Sequence, residues 1–432
     1  MTVTETSWDL IDQLAGVDAQ HPLAALRRHR SVAVANAQES FRALFEPDDS
    51  THLGLADRYA VAVLVAGLHD FTTAESFYRD LLSDAATPEV VNVVAAIARR
   101  NVIAGPAGTY REPGLSGESR PVPGLRVTEQ ERETLGARLV VALAWAQLLV
   151  VHPRDSRPEV IAALLDEGWD EDGLVSLAQL VSFLAFQLRV AWGVGTLAGT
   201  VESVESTPVP IDPEAEEVVL HGVSPRVRTY PTLARPDTFV RHDLGWVPWI
   251  APLSEEDLTA RHREALVEPI RAKNPYFRLL VRDPDALEAR TLTDNDIFFN
   301  TTDGIGRAER ELAATVTSRV NGCVYCASVH SQRAADESGR GENVDALLRD
   351  GWRADLGDAV WNAIARASRD LTGTPLRFTA DAVEQLRGAG LSDLDILDIV
   401  NGAAFFNWAN RLMLGLGEPQ VPRRFLTGSS IG

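Results

Sequence analysis

The chain has 432 residues, of which 45% are hydrophobic and 24% charged, and its formal net charge is −20 at pH 7. These proportions belong to a globular chain long enough for two or three domains. The acidic balance argues against a nucleic-acid or anionic-membrane partner. Met1-Thr-Val-Thr-Glu-Thr-Ser-Trp8 has no basic region followed by an apolar core, so no secretory signal is expected and the location reads as cytoplasmic.

Helices are expected over Trp8–Leu14, Pro22–Phe45, Leu55–Leu68, Thr72–Leu82 and Pro88–Ile103, the last with proline in its first turn. Gly105–Gly124 is a loop rich in Gly and Pro. Thr128-Glu-Gln-Glu131 has the form of a capping box ahead of an apolar helix ending at Val151. The apolar run Leu139–Val151 is too short to cross a bilayer and contains Gln147, so it reads as a buried helix. Pro158–Glu167 and Asp172–Leu197 complete a helical first half. Val201–Asp237 holds six prolines and reads as a linker crossing between domains, either free or docked on the surface. Helices then resume over Glu255–Val267, with Ser254 as N-cap, Asn274–Val281, Pro284–Arg290, Asp355–Leu371, Thr379–Gly388 and Ser392–Gly415. Strand-like alternation is nearly absent, which makes the fold class all-α.

The chain repeats itself. A shift of 222 residues carries Pro153 onto Pro375, Leu164 onto Leu386, Gly168 onto Gly390, Phe183 onto Phe405 and Arg189 onto Arg411. Further upstream a shift of 252 carries Ala56, Asp57 and Arg58 onto Ala308, Glu309 and Arg310. The difference falls where the first copy has its Gly/Pro-rich loop. Two copies of one helical unit are expected: residues 1–200, a linker over 201–237, and residues 238–432.

Cys323 and Cys326 are the only cysteines, and His330 follows four residues after the second. Leu312, Val316 and Val320 give the segment after Glu311 an apolar stripe at helical spacing, and Asn321-Gly322 interrupts it. A new helix from Cys323 places positions 323, 326 and 330 on one face. That arrangement suits thiol chemistry. A thiol at a helix N-terminus is drawn toward thiolate, a histidine one turn on exchanges its proton, and a carboxylate on the neighbouring helix orients that histidine. The second thiol can close a disulfide once the first is oxidised. Zinc would need a fourth ligand that this helix does not supply, and no Walker loop or dinucleotide fingerprint is present. No metal and no cofactor are therefore expected. The first copy aligns Tyr59, Phe71, Ala74 and Tyr78 with Glu311, Cys323, Cys326 and His330, so it reads as non-catalytic. Asn407 and Asn410 align with Ala185 and Leu188. As polar residues confined to the thiol-bearing copy, they are candidates for its pocket, as is Tyr325.

Glu311-x11-Cys323-x2-Cys326-x3-His330, with Asn321-Gly322 before the first cysteine, resembles the signature of AhpD-like alkylhydroperoxidases within the carboxymuconolactone decarboxylase superfamily. The likeness to the peroxidase-related branch covers roughly residues 240–420. Tyr325 stands where the best-studied AhpD type carries His. The resemblance implies two AhpD-like helical domains, the second a thiol peroxidase for organic hydroperoxides or hydrogen peroxide. It assigns Cys326 as the attacking thiol, His330 as its base, Glu311 as the driver of the relay through water and Cys323 as the resolving thiol. An external dithiol protein would be the reductant, and superfamily habit suggests a homo-oligomer, such as a trimer of two-domain chains. Two other roles fit the same residues: a disulfide reductase or thiol-redox adaptor, and a decarboxylase-like or ligand-binding protein whose activity ignores thiol alkylation.

Overall fold

The computed structural model describes residues 9–201 and 212–426; residues 1–8, prolines 208 and 210 of the expected linker, and residues 427–432 lie outside the described residues. The first half consists of α1 (Leu10–Leu14), α2 (Pro22–Arg27), α3 (Ser31–Phe45), α4 (Leu55–Leu68), α5 (Thr72–Ala85), α6 (Pro88–Arg100), α7 (Glu129–Leu135), α8 (Ala137–Val151), α9 (Pro158–Asp166) and α10 (Glu171–Ala198). The second consists of α11 (Ala260–Ala265), α12 (Pro275–Leu280), α13 (Pro284–Phe299), α14 (Arg307–Asn321), α15 (Val324–Ser338), α16 (Gly341–Asp350), α17 (Ala359–Thr372), α18 (Ala380–Gly388), α19 (Asp393–Leu416) and α20 (Arg423–Leu426). The protein is all-α. Among the described residues β structure is confined to two antiparallel pairings, β1 (Arg126–Val127) with β2 (Glu216–Glu217) and β3 (Gly245–Pro248) with β4 (Gly417–Gln420).

The two halves follow the same order of helices. Helices α4 and α14 begin at residues 55 and 307, α5 and α15 at 72 and 324, α9 and α18 at 158 and 380, α10 and α19 at 171 and 393. Local chemistry recurs with them. Arg58 Nε donates to Leu53 O at 2.9 Å, and Arg310 Nε donates to Ile305 O at 2.9 Å. Both guanidiniums are buried and hold the chain that enters their helix.

Helices α10 and α19 form the central seam. Each is apolar on nearly every side, so neither can face water. Helix α10 is long and apolar enough to span a bilayer by length and composition, but 94% of its qualifying stretch is buried inside the protein. The ring of Phe183 meets Trp408 at 5.3 Å and that of Phe186 meets Phe405 at 6.2 Å. Gly193 lets the helices close: a Cβ there would sit 2.6 Å from Val400 Cγ1. Two arginines cross the seam in opposite directions. Arg189 of α10 donates to Leu371 O at 2.7 Å and Thr372 O at 3.0 Å, at the end of α17. Arg411 of α19 donates to Val150 O at 3.0 Å, at the end of α8. Each satisfies carbonyls that a helix end leaves without an intrahelical donor.

Expectations change at several helices, and the course of the linker is resolved. Residues 255–259 are not helical: Ser254 and Asp257 close a local turn, with Asp257 N donating to Ser254 Oγ at 3.2 Å. The helix starts only at Ala260, where Thr259 and His262 form a capping box, and stops before Val267, which has φ +63°. The helix from Pro284 does not end at Arg290 but runs to Phe299, because Ala289, Thr293 and Ile297 continue a buried stripe packed against α3. The described part of the linker is docked rather than free. Besides the β1–β2 pairing, Gly222 N donates to Glu159 O at 2.9 Å, and a Cβ on Gly222 would lie 2.3 Å from Ala163 N.

A buried ion cluster ties the N-terminal helices to the seam. Arg30 donates to both carboxylate oxygens of Asp398, at 2.9 and 2.8 Å, and Arg310 donates to the same carboxylate at 3.0 Å. All three side chains are at most 2% exposed. Asp398→Asn keeps the shape but strands two buried cations, and should lower stability to urea by about 3 kcal/mol. A loss well under 1 kcal/mol would show that the cluster is not under this electrostatic constraint.

Candidate active site

The site is built where α14 hands over to α15. Helix α14 carries Glu311 near its start and ends at Gly322 with φ +81°, a left-handed C-cap. Glycine is required twice over there, since a Cβ would also lie 2.4 Å from Cδ of Arg154, which the first half lays across this turn. Cys323 N donates back to Ser318 O at 2.9 Å, and Cys323 becomes the N-cap of α15 rather than its first residue. Cys326 follows in the first turn and His330 one turn later. The two sulfurs are reduced and 3.0 Å apart. A shift of about 1 Å would bring them to the bonding distance of a disulfide.

Glu311 and His330 meet across the two helices. The imidazole Nδ1 lies 2.5 Å from Glu311 Oε2, so the carboxylate orients the ring directly, one of the two arrangements, direct or through water, open to a carboxylate on the neighbouring helix. The Glu311 side chain is fully buried and that of His330 is 11% exposed. The other carboxylate oxygen faces Arg307 Nε at 3.3 Å and Arg333 Nη1 at 4.0 Å. Burial alone would raise the Glu311 carboxyl. The His330 charge and hydrogen bond, with Arg333 and Arg307 behind them, reverse this and hold it below its ordinary 4.5. Phe406 packs edge-on to the His330 ring at 4.1 Å. With Nδ1 committed to Glu311, Nε2 is the ring nitrogen that can exchange a proton.

Cys323 departs from the expectation for a thiol at a helix N-terminus. Burial pushes it well above its ordinary 9.0, and the adjacent Cys326 sulfur adds to the effect. Desolvation outweighs the helix dipole at this position. Cys323 and Tyr325 line a narrow cleft with a free volume of about 30 Å³. Burial raises the Tyr325 hydroxyl to about 12. Asn407 and Asn410 sit elsewhere. Both are fully buried and accept from Asn321 Nδ2, at 3.1 and 3.0 Å, so they brace the end of α14 two residues before Cys323. Glu309, the neighbour of Glu311, accepts from Trp361 Nε1 at 3.1 Å.

Several residues of the site carry no motif signal. Arg307 and Arg333 are marked only by their helical spacing from Glu311 and His330. Tyr276 belongs to a distant short helix, yet its buried hydroxyl has no partner among the described residues, and the Cys326 and Tyr325 groups act on it electrostatically. The corresponding region of the first half is packed shut. Tyr59 donates to Phe45 O at 3.2 Å, the Phe45 ring meets those of Tyr59 and Tyr78 at 6.2 and 5.2 Å, and Tyr78 is fully buried on Gln187.

Fold and site together define an all-helical protein that sets a reduced cysteine pair beside a histidine–carboxylate pair. Residues 284–369 match the model of the carboxymuconolactone decarboxylase family, and the stretch holds Glu311, both cysteines and His330. The chain is similar to that family over this segment. No curated protein matches it.

The Glu311 shift has a consequence for stability. The folded value lies below the unfolded one, so the native state binds fewer protons. The stabilisation is complete above about pH 4.5 and is lost as pH falls through the folded value. In urea unfolding between pH 6 and pH 3, wild type should exceed Glu311→Gln at the upper end and converge toward it at the lower end. A gap that stays constant to pH 3 would contradict the ionised pair.

Proposed function

We propose that the protein is a thiol-dependent peroxidase acting on organic hydroperoxides or hydrogen peroxide through Cys326 and Cys323. The observation that carries this reading is the direct Glu311–His330 bond between α14 and α15, with two reduced sulfurs in contact at the start of the helix that carries His330. His330, oriented by Glu311, takes the Cys326 proton. The thiolate attacks a peroxide oxygen, the O–O bond breaks, and the proton returns from His330 to the departing oxygen as the alcohol or water forms. Cys326 is left as a sulfenic acid. Cys323 then attacks that sulfur, releasing water and closing the disulfide. A high thiol pKa suits Cys323 to this second role, since it stays protonated while Cys326 reacts.

An external dithiol must reduce the disulfide and complete the cycle. Cys323 lines the cleft, and we assign it as the sulfur that the reductant attacks. The same place in the cleft lining favours thiol–disulfide exchange with a partner as a second reading. In this proposal the first half serves as a non-catalytic AhpD-like copy, and the assembly is a homo-oligomer of two-domain chains.

The decisive test is a thiol titration before and after one equivalent of cumene hydroperoxide, with mass spectrometry of the peptide spanning 320–333. Loss of both thiols with a Cys323–Cys326 disulfide is expected. Cys326→Ser should abolish it, Cys323→Ser should leave a trappable sulfenic acid at Cys326, and His330→Ala should slow oxidation by about 100-fold or more. Two unchanged thiols in the folded wild-type protein would reject the reading, while slow peroxide turnover beside fast dithiol exchange would select the second one.

A further inference from the structure

The wall of the cleft facing Cys323 takes no part in the chemistry above. Arg154 and Ser156 come from the turn after α8, Arg235 from the docked linker and Trp249 from the residue after β3. Arg154, Ser156 and Trp249 are 8%, 4% and 1% exposed. Even so, Arg154 Nε, Ser156 Oγ, Trp249 Nε1 and Arg235 Nη1 have no hydrogen-bond partner among the described residues. Leaving such an atom buried and unpaired costs about 1–3 kcal/mol. Four on one small cleft is far from the usual pattern, in which buried polar atoms find partners.

The acids nearby do not resolve this. Glu418 is engaged by Arg111 at 2.9 Å and by another nitrogen of Arg235. Glu112 accepts from the Arg111 backbone N–H at 3.1 Å. With Arg157, the lining holds four arginines against two glutamates. Burial, helped by Arg111, pushes Arg157 and Arg235 down to about 10. This is positive charge in excess, in a chain of net charge −20. Arg154 is also held in place: Nη2 donates to Pro106 O at 3.1 Å and its guanidinium lies 4.5 Å from the Tyr110 ring centre. A second cleft of about 390 Å³ shares Tyr110 and Arg154 and adds Arg120, Arg353 and Arg377, so the positive field extends outward. Beside Cys323 the free volume of about 30 Å³ admits one or two waters, or the two oxygens of a carboxylate.

We propose that this cleft is a carboxylate-binding site, in which Arg154, Arg235, Ser156 and Trp249 hold the acid group of a small organic acid beside Cys323. The site stands on its own donors. Its extension, that the hydroperoxide turned over is itself a carboxylic acid, rests on the peroxidase reading.

The test is calorimetric titration of the full-length reduced protein with hexanoate, hexanol and inorganic phosphate, and of the Arg235→Gln/Ser156→Ala variant with hexanoate. Arg154 is left intact because it packs on the Gly322 turn. Saturable hexanoate binding is expected, with hexanol silent, iodoacetamide labelling of Cys323 slowed by hexanoate, and affinity in the variant down about tenfold or more, the effect of losing one or two charge-assisted bonds. The proposal is overturned by no saturable binding, by equal affinity in the variant, or by phosphate binding more tightly than hexanoate. Peroxide-driven disulfide formation is scored separately. Its absence beside intact hexanoate binding would reject the peroxidase reading and leave the carboxylate site standing.

Discussion

Helices α10 and α19 constrain everything else, because each is too apolar to survive outside a core and each finds that core chiefly in the other. Their contact is not a simple apolar stack. Arg189 and Arg411 are both fully buried, and each donates to backbone carbonyls that include one at the end of a helix of the opposite half, Arg411 also to Asn407 Oδ1. A buried guanidinium without a carboxylate is tolerable only where several carbonyls converge on it. The ends of α8 and α17 provide that convergence, so the seam sets the distance and rotation between the halves. Separating them would strand both arginines at once, and apolar burial and polar satisfaction thus favour the same arrangement.

That arrangement decides what reaches the cysteines. Because the end of α8 is held by Arg411, the turn that follows it is fixed, and Arg154 is laid across Gly322 immediately before Cys323. The motif, with Glu311 and His330, belongs wholly to the second half, but the surface facing Cys323 is composite. It draws on the 105–124 loop, the 153–157 turn, the linker and the β3–β4 pair. The first half, with Tyr59, Phe71, Ala74 and Tyr78 at the equivalent positions, has an aromatic plug where the second has a relay. Its contribution is made at a distance from that plug, through the loop and turn that the seam carries across.

Much of this was legible in the sequence, and the part that was not has a physical pattern. Helix type and order follow largely from periodicity and caps; Thr128-Glu-Gln-Glu131 does form a capping box, but it opens the short α7, and the apolar α8 begins separately at Ala137 after Gly136. The Glu311, Cys323, Cys326 and His330 set is legible because helical spacing is local information. The turn at 254–258 was misread because Ser254 has two competing uses for its hydroxyl, a helix cap or a turn with Asp257, and the acidic run beside it suits either. The cleft was illegible for a different reason. Arg154, Arg235 and Trp249 are far apart in the chain, and only the folded backbone brings them together. Asn407 and Asn410 were candidates for the pocket as polar residues confined to the thiol-bearing copy, but their partner is the amide of Asn321, so they brace the motif from behind.

The burial of Glu311 links stability to chemistry in this molecule. A carboxylate with no solvent contact must either take up a proton or be surrounded by donors. Here it is surrounded by His330, Arg307 and Arg333, and the closest of these is the imidazole. The same bond that makes the buried charge tolerable therefore fixes the ring's orientation and commits Nδ1, leaving Nε2 for proton exchange. Phe298 and Phe406 close over the ring and keep water from competing for that bond. Cys323 experiences the opposite balance. It is buried beside a second sulfur, and desolvation together with that sulfur holds its thiol well above the ordinary value. The arginines of the cleft facing Cys323 do not outweigh that desolvation, whereas the Glu311 carboxylate is held ionised by groups that contact it directly.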